Sequence, residues 1–248
     1  SFEPMHNDYK VVTCSPDGRV VVWKLLESLS AVWPLAHFSV APNENAKIGL
    51  SLARGYAATR PLGLTCLALE KVRDEAFDTM QETGFFIAGS ECGGTFRCFL
   101  NMSEVFARAE QALGSLLRPP AAGAGDAPEL RSPVVYSYRP HAGPVHAVAC
   151  CLGQRNLFAS CGADGTLRIH SCLQVDAVVK LEPTASYLYS LAWSPVRPLV
   201  LAVGAAHGAV LLYDLAADPA RPVEVLSIPD GGNVFALAFT AAGSVLAA

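Results

Sequence analysis

The chain has 248 residues, 52% of them hydrophobic and 16% charged, and its 18 Lys plus Arg against 22 Asp plus Glu give a formal charge of -4. That balance excludes a disordered chain, and the lack of any basic run excludes nucleic acid as an expected partner, because phosphate binding needs a concentrated cationic face. The longest apolar stretch, Leu199 to Tyr213, is cut by His207-Gly208 and falls short of the roughly 20 residues of a membrane span, so it reads as strand, turn, strand and no membrane partner is expected.

The sequence opens without Met and without a charged start ahead of an apolar segment, so it reads as an internal piece of a longer protein with no signal or transit peptide. There are eight cysteines but no Cys-x-x-Cys pair, and Cys14, Cys66, Cys98, Cys150, Cys151, Cys161 and Cys172 sit among apolar residues. They read as buried free thiols in a reducing, cytoplasmic setting, with no metal and no cofactor expected.

In chain order, one pattern recurs: a short apolar run, a tight turn, then an alternating apolar run. The first copy, residues 9–23, turns at Asp17-Gly18 and lacks a preceding strand. The second, residues 84–99, follows an apolar run from Leu64 to Leu69 and turns at Gly93-Gly94, with Gly94 taken as the equivalent of Gly18. An insertion at 101–140 comes next: Ser103 caps a helix from Glu104 to Leu117, which either packs on its own blade or meets a partner, and the Ala, Gly and Pro-rich run from Pro119 to Pro133 is expected to be mobile. The third hairpin, 157–172, follows Val145 to Cys151 and turns at Asp164-Gly165; the fourth, 199–215, follows Tyr187 to Trp193 and turns at His207-Gly208. Residues 233–248 begin a further unit. Asp-Gly suits a two-residue turn in which both residues take positive φ.

A strand plus a hairpin plus a less regular outer strand makes a propeller blade, so the expected class is all-β: an incomplete ring of four-stranded blades with a helical and loop insertion. Residues Leu157 to Ile169 resemble the middle hairpin of the WD-repeat family almost position by position. That family joins a His, a Ser or Thr, a turn Asp and a Trp in a hydrogen-bonded tetrad, and His141, Ser160 and Asp164 match three positions. His170 stands where Trp would be, so a complete tetrad is not expected and packing is expected to hold the blade. Asp17 and Trp23 match in the first blade, Tyr213-Asp214 replaces Trp-Asp in the fourth, and the second carries Cys98-Phe99. The turn glycines Gly18, Gly94, Gly165 and Gly208 complete the structural set.

A narrower resemblance runs from Gly84 to Ala248. Phe85-Phe86-Ile87-Ala88-Gly89-Ser90-Glu91, His141-Ala142-Gly143-Pro144-Val145, the Ser160 hairpin, Tyr187 to Pro195 and Val210 to Leu215 resemble the dynein intermediate chains in order and spacing. The divergent turns and the Ala/Pro-rich insertion look most like the cytoplasmic dynein 2 branch. The resemblance implies a non-catalytic scaffold that binds a dynein heavy chain in retrograde intraflagellar transport and cilium assembly. It also implies a second intermediate chain as partner, light chains bound through a region outside this chain, and a place on the cytoskeleton, cilium and ciliary base or centrosome.

No enzyme is expected. Gly-x-Ser-x-Gly, a Walker loop and His-Glu-x-x-His are absent, and His6, His37, His141, His146, His170 and His207 lie in different repeats. Gly89 to Gly94 is glycine-rich but lies between two strands, with no helix N-terminus to cradle phosphate. The open ends of inner strands carry Thr65, His146, Tyr187, Tyr189 and Phe235, a candidate protein-binding rim, although Tyr187 and Tyr189 could equally fill the gap between blades. An adaptor for a ubiquitin ligase or a reader of histone tails is the alternative; acidic channel residues would favour the second, and the inner strands carry few Asp or Glu.

Overall fold

The computed structural model describes residues 9–26, 31–40, 61–74, 79–100, 129–130, 133–228, 231–240, 242–243 and 245–247. The helix expected over 104–117 lies outside them. The described elements are strands and one 3-10 turn.

Four four-stranded sheets follow one another along the chain. The first blade joins β1 (Tyr9–Cys14), β2 (Arg19–Leu26) and β3 (Ala31–Ser39). The second joins β4 (Leu64–Asp74), β5 (Thr79–Ser90), β6 (Thr95–Phe99) and, beyond β7 (Glu129–Leu130), β8 (Val134–Ser137). The third is β9 (Val145–Cys150), β10 (Leu157–Gly162), β11 (Leu167–Ser171) and β12 (Ala177–Leu181). The fourth is β13 (Leu188–Trp193), β14 (Val200–Ala205), β15 (Ala209–Asp214) and β16 (Glu224–Ser227), and β17 (Leu237–Phe239) pairs with β18 (Val245–Ala247) as the start of a fifth. Short apolar runs broken by tight turns can only pair antiparallel, and every blade's own strands do so.

The core lies between blades. Val20, Val22 and Phe38 of the first pack with Leu64, Phe86 and Phe96 of the second; Ile87 and Tyr138 meet Val145, Val148 and Phe158; Ala159, Cys161 and Ile169 meet Leu188, Leu201, Leu211 and Tyr213. A strand covered on both faces needs an unbroken apolar run, which is why β14, Val-Leu-Ala-Val-Gly-Ala, is buried throughout while the outer strand β16 is exposed throughout. Each fully buried Phe or Leu contributes about 1.5 to 3 kcal/mol of transfer free energy.

Side chains of the inner strands also bond across the seams. Thr65 Oγ1 donates to the Val145 carbonyl, His146 Nδ1 to Leu188 O at 2.8 Å, Trp193 Nε1 to Ala149 O at 3.0 Å, and Ser190 Oγ to Val234 O at 2.8 Å. These directional bonds set the angle between neighbouring blades, which apolar packing alone leaves loose.

Two expectations about the insertion are corrected. The insertion is shorter than 101–140, because Val134–Ser137 is the second blade's own outer strand. Within the run expected to be mobile, Glu129–Leu130 forms β7 and pairs in parallel with His37 and Phe38 on the outer edge of the first blade. An outer edge presents unpaired N–H and C=O groups that any passing extended segment can satisfy, whatever its hydrophobic content.

The turns also differ. Asp17 and Asp164 do not take positive φ; only their glycines do, Gly18 at 84° and Gly165 at 68°. The carboxylates bend forward to accept Arg19 N at 3.0 Å and Thr166 N at 3.1 Å, which holds the aspartates in an ordinary conformation and closes a longer loop ending in a left-handed glycine. In the second blade that glycine is Gly93, φ 84°, and not Gly94: Gly93 N donates to Ser90 O as Gly165 N does to Gly162 O. His207-Gly208 is the turn where both residues are left-handed, at 59° and 71°.

Candidate functional site

The third blade carries a buried polar chain. His141 sits in the loop entering β9, Ser160 in the middle of β10, Asp164 in the next turn and His170 on β11. Ser160 Oγ lies 2.8 Å from His141 Nε2 and 2.9 Å from His170 Nε2, while His141 Nδ1 lies 3.0 Å from Asp164 Oδ1. One proton assignment satisfies all three. His141 Nδ1–H donates to the carboxylate, its Nε2 accepts from the Ser160 hydroxyl, and that hydroxyl accepts from His170 Nε2–H.

The tetrad is therefore complete, and the expectation that His170 would break it is corrected: an imidazole presents Nε2–H to the serine as an indole presents its N–H. The ring is held flat against Phe158, 4.6 Å between centroids and 7° from parallel. The exchange leaves His170 Nδ1 buried with no hydrogen-bond partner among the described residues.

Burial pushes the His170 imidazolium down to about 3, with the neighbouring His141 and Arg168 adding to it. Burial also lowers His141, against the opposing pull of Asp164. Burial alone would raise Asp164, but hydrogen bonds from His141, Thr166 and the Ala142 amide hold its carboxyl well below the usual carboxylate range. Two residues missed from the sequence belong to the same network. Thr166 Oγ1 donates to Asp164 at 2.8 Å, and Arg168 reaches Asp164 at 3.3 Å and the carbonyls of Arg139 and Pro140 at 3.0 and 2.9 Å. The signal was present, since residues 168 and 170 share one face of β11 and residue 166, just before the strand, continues the same alternation.

The first blade repeats part of this arrangement at the same spacing: Thr13, Asp17 and Trp23 stand as Ser160, Asp164 and His170 do, and Trp23 Nε1 donates to Thr13 Oγ1 at 2.8 Å. Gly93 seats the second blade on the third, giving its carbonyl to His141 N at 2.9 Å; a Cβ there would lie 2.3 Å from His141 O. Gly94 is also crowded, because a Cβ there would meet Phe96 at 2.5 Å. Gly18 and Gly208 pack against Leu62 and Ile228 respectively. Tyr213 is fully buried, in the place of the family's Trp, and Asp214 pairs with Arg197.

At the end of the strands where the inner strands begin, four of the five candidate rim residues meet in one aromatic row across three blades. The His146 ring stacks on Tyr189 at 5.1 Å, Tyr189 meets Phe235 at 5.0 Å, and Tyr187 stands edge-on to both His146 and Tyr189. Tyr187 is 55% exposed and Phe235 67%, so the row ends in open rings while Tyr189 is half-buried within it. Thr65 is not part of it; its hydroxyl is directed at the Val145 and Gly89 carbonyls.

Among the described residues no three His, Cys, Asp or Glu side chains gather in a way that would hold a metal ion. Burial raises the thiols of Cys66, to about 11, and of Cys98, Cys150 and Cys161, which suits packing rather than reactivity. No described helix is long and apolar enough to cross a membrane.

The blades, their seams and the His–Ser–Asp chain define a WD-repeat β-propeller fold, and residues 132–171 match the family model described as WD domain, G-beta repeat. Over 96% of its length the chain is 32% identical to cytoplasmic dynein 2 intermediate chain 2 of Mus musculus, and 30% identical over the same share to that of Homo sapiens. The resemblance to dynein intermediate chains, most like the dynein 2 branch, is thus found in whole-chain comparison. The chain spans 40% of the length of these curated relatives.

Proposed function

We propose that this chain is propeller material of a dynein intermediate chain, a non-catalytic scaffold that binds a dynein heavy chain and serves retrograde intraflagellar transport and cilium assembly. The observation that carries the mechanism is the aromatic row from His146 to Phe235. Its rings are preset by stacking and by the His146–Leu188 bond, so a partner that covers Tyr187 and Phe235 gains burial without ordering the site first. Two exposed rings beside two braced ones are the arrangement expected of a protein-binding hot spot. A second intermediate chain, light chains bound outside this segment, and a location at the cilium and its base follow from the same reading, which rests on the relatives' names.

The test is capture of the full-length protein from ciliated cells, wild type against Tyr187→Ala/Tyr189→Ala, with the partners identified by mass spectrometry. A dynein heavy chain is expected with the wild type, and its affinity is expected to drop by more than about tenfold in the variant, the effect of losing one strong anchor. Heavy chain held equally by both would return the tyrosines to a packing role. Ubiquitin-ligase subunits or histones in its place would overturn the motor reading.

A further inference from the structure

The aromatic row occupies one end of the strands. At the other end, between the second and third blades, a cleft of about 260 Å³ is lined by Glu70, Thr83, Phe85, Arg97, Arg155 and Asn156. Glu70 lies five residues along β4 from Thr65, about 17 Å at the usual strand rise, so the two ends are separate surfaces. We infer that this cleft is a subsite for the carboxylate side chain, glutamate or aspartate, of a protein partner.

Size comes first. The cleft is smaller than the roughly 300 to 1,000 Å³ typical of small-molecule sites, and fits one side chain rather than a nucleotide or cofactor. Its wall is prearranged: Arg97 Nη2 bonds Glu70 Oε2 at 2.9 Å, and the guanidinium lies 4.0 Å above the Phe85 ring, an apolar surface for an incoming hydrocarbon stem. Thr83 braces the same wall by donating to Glu70 O at 3.2 Å.

Charge then selects the head group. Arg97 and Glu70 neutralise one another within the wall, whereas Arg155 is exposed and makes no hydrogen bond or ion pair with any described residue. The cleft thus carries one surplus positive charge at its lip, beside the Asn156 amide. Glu70 uses only one of the Arg97 donors, and Arg97 Nε–H remains buried without a partner among the described residues. A carboxylate satisfies Arg155 by a charge-assisted bond and its one negative charge matches the single surplus positive charge, whereas a phosphoryl group, with nearly two, would leave net negative charge beside Glu70.

The experiment is saturation-transfer NMR on the full-length protein with three probes: acetyl-Gly-Glu-Gly-amide, its Gln counterpart and its phosphoserine counterpart. Saturation of the Glu methylenes is expected to exceed that of Gln by about threefold or more, as the added strength of a charge-assisted bond requires. It is expected to vanish with Arg155→Glu and to persist with Arg155→Lys. Thermal melting checks that the variants are folded, and Arg155→Gln replaces the reversal if that one is not. Equal saturation by Glu and Gln, no effect of Arg155→Glu, or stronger saturation by phosphoserine would each overturn the inference. Tyr187→Ala/Tyr189→Ala is expected to leave the signal unchanged, so failure here and failure of the rim reading are told apart.

Discussion

His170 Nε2 lies 2.9 Å from Ser160 Oγ, so that an imidazole closes the polar chain that begins at Asp164. The hydroxyl of Ser160 is the single atom joining the two histidines, and its loss would strand a buried nitrogen on each side.

Ser160→Ala is therefore expected to destabilise the propeller by about 2 kcal/mol or more, since each orphaned buried group costs about 1 to 3 kcal/mol. Denaturant unfolding of the full-length protein checks this, with Ser171→Ala, at the end of β11, as the mild comparison.

His170→Trp restores the side chain that the WD-repeat family carries at this position. It removes the unpaired Nδ1 acceptor and keeps the bond to Ser160, so a gain of about 1 kcal/mol is expected. A loss measured by the same unfolding experiment would mean that the space beside Phe158 and Tyr138 cannot admit an indole.

Both histidines are held below their ordinary value of 6.5, so the unfolded chain binds protons more readily than the folded one. Their contribution to stability is complete above about pH 6.5 and is lost as pH falls below it, for His170 toward a folded value of about 3. Each histidine adds a slope of up to about 1.4 kcal/mol per pH unit, and Asp164 adds its own loss below its ordinary value of 3.8. Melting temperature measured from pH 7.5 to 4 is expected to fall steadily, and His170→Trp is expected to remove one histidine's share of the slope.

Gly93→Ala is expected to cost more than Gly143→Ala. At Gly93 the backbone is left-handed and the new Cβ would lie 2.3 Å from His141 O, whereas at Gly143 it would meet Ala163 at an ordinary 3.4 Å. Comparing the melting temperatures of the two variants decides it.

Much of the architecture was legible because its signals are local. Alternation in Leu157 to Ile169, the Asp-Gly and Gly-Gly turns, and the apolar runs ahead of each hairpin all act within a dozen residues, so blade positions could be read directly. The sequence points to Gly94 where the structure uses Gly93, because two adjacent glycines offer no local way to say which one turns left-handed. The placement of Glu129–Leu130 was not legible either, since strand addition to an edge needs only free backbone groups.

Sequence alone determined that the chain is built of repeated hairpins, that it carries His141, Ser160 and Asp164 at the spacing of a structural tetrad, and that aromatic residues open its inner strands. Only the tertiary structure decided that His170 completes the tetrad, that Thr166 and Arg168 join it, that Thr65 stands apart from the rim, and that His146, Tyr189 and Phe235 form one row across three blades. Those facts depend on ring orientation and on which strands face one another across a seam, and a linear pattern specifies neither.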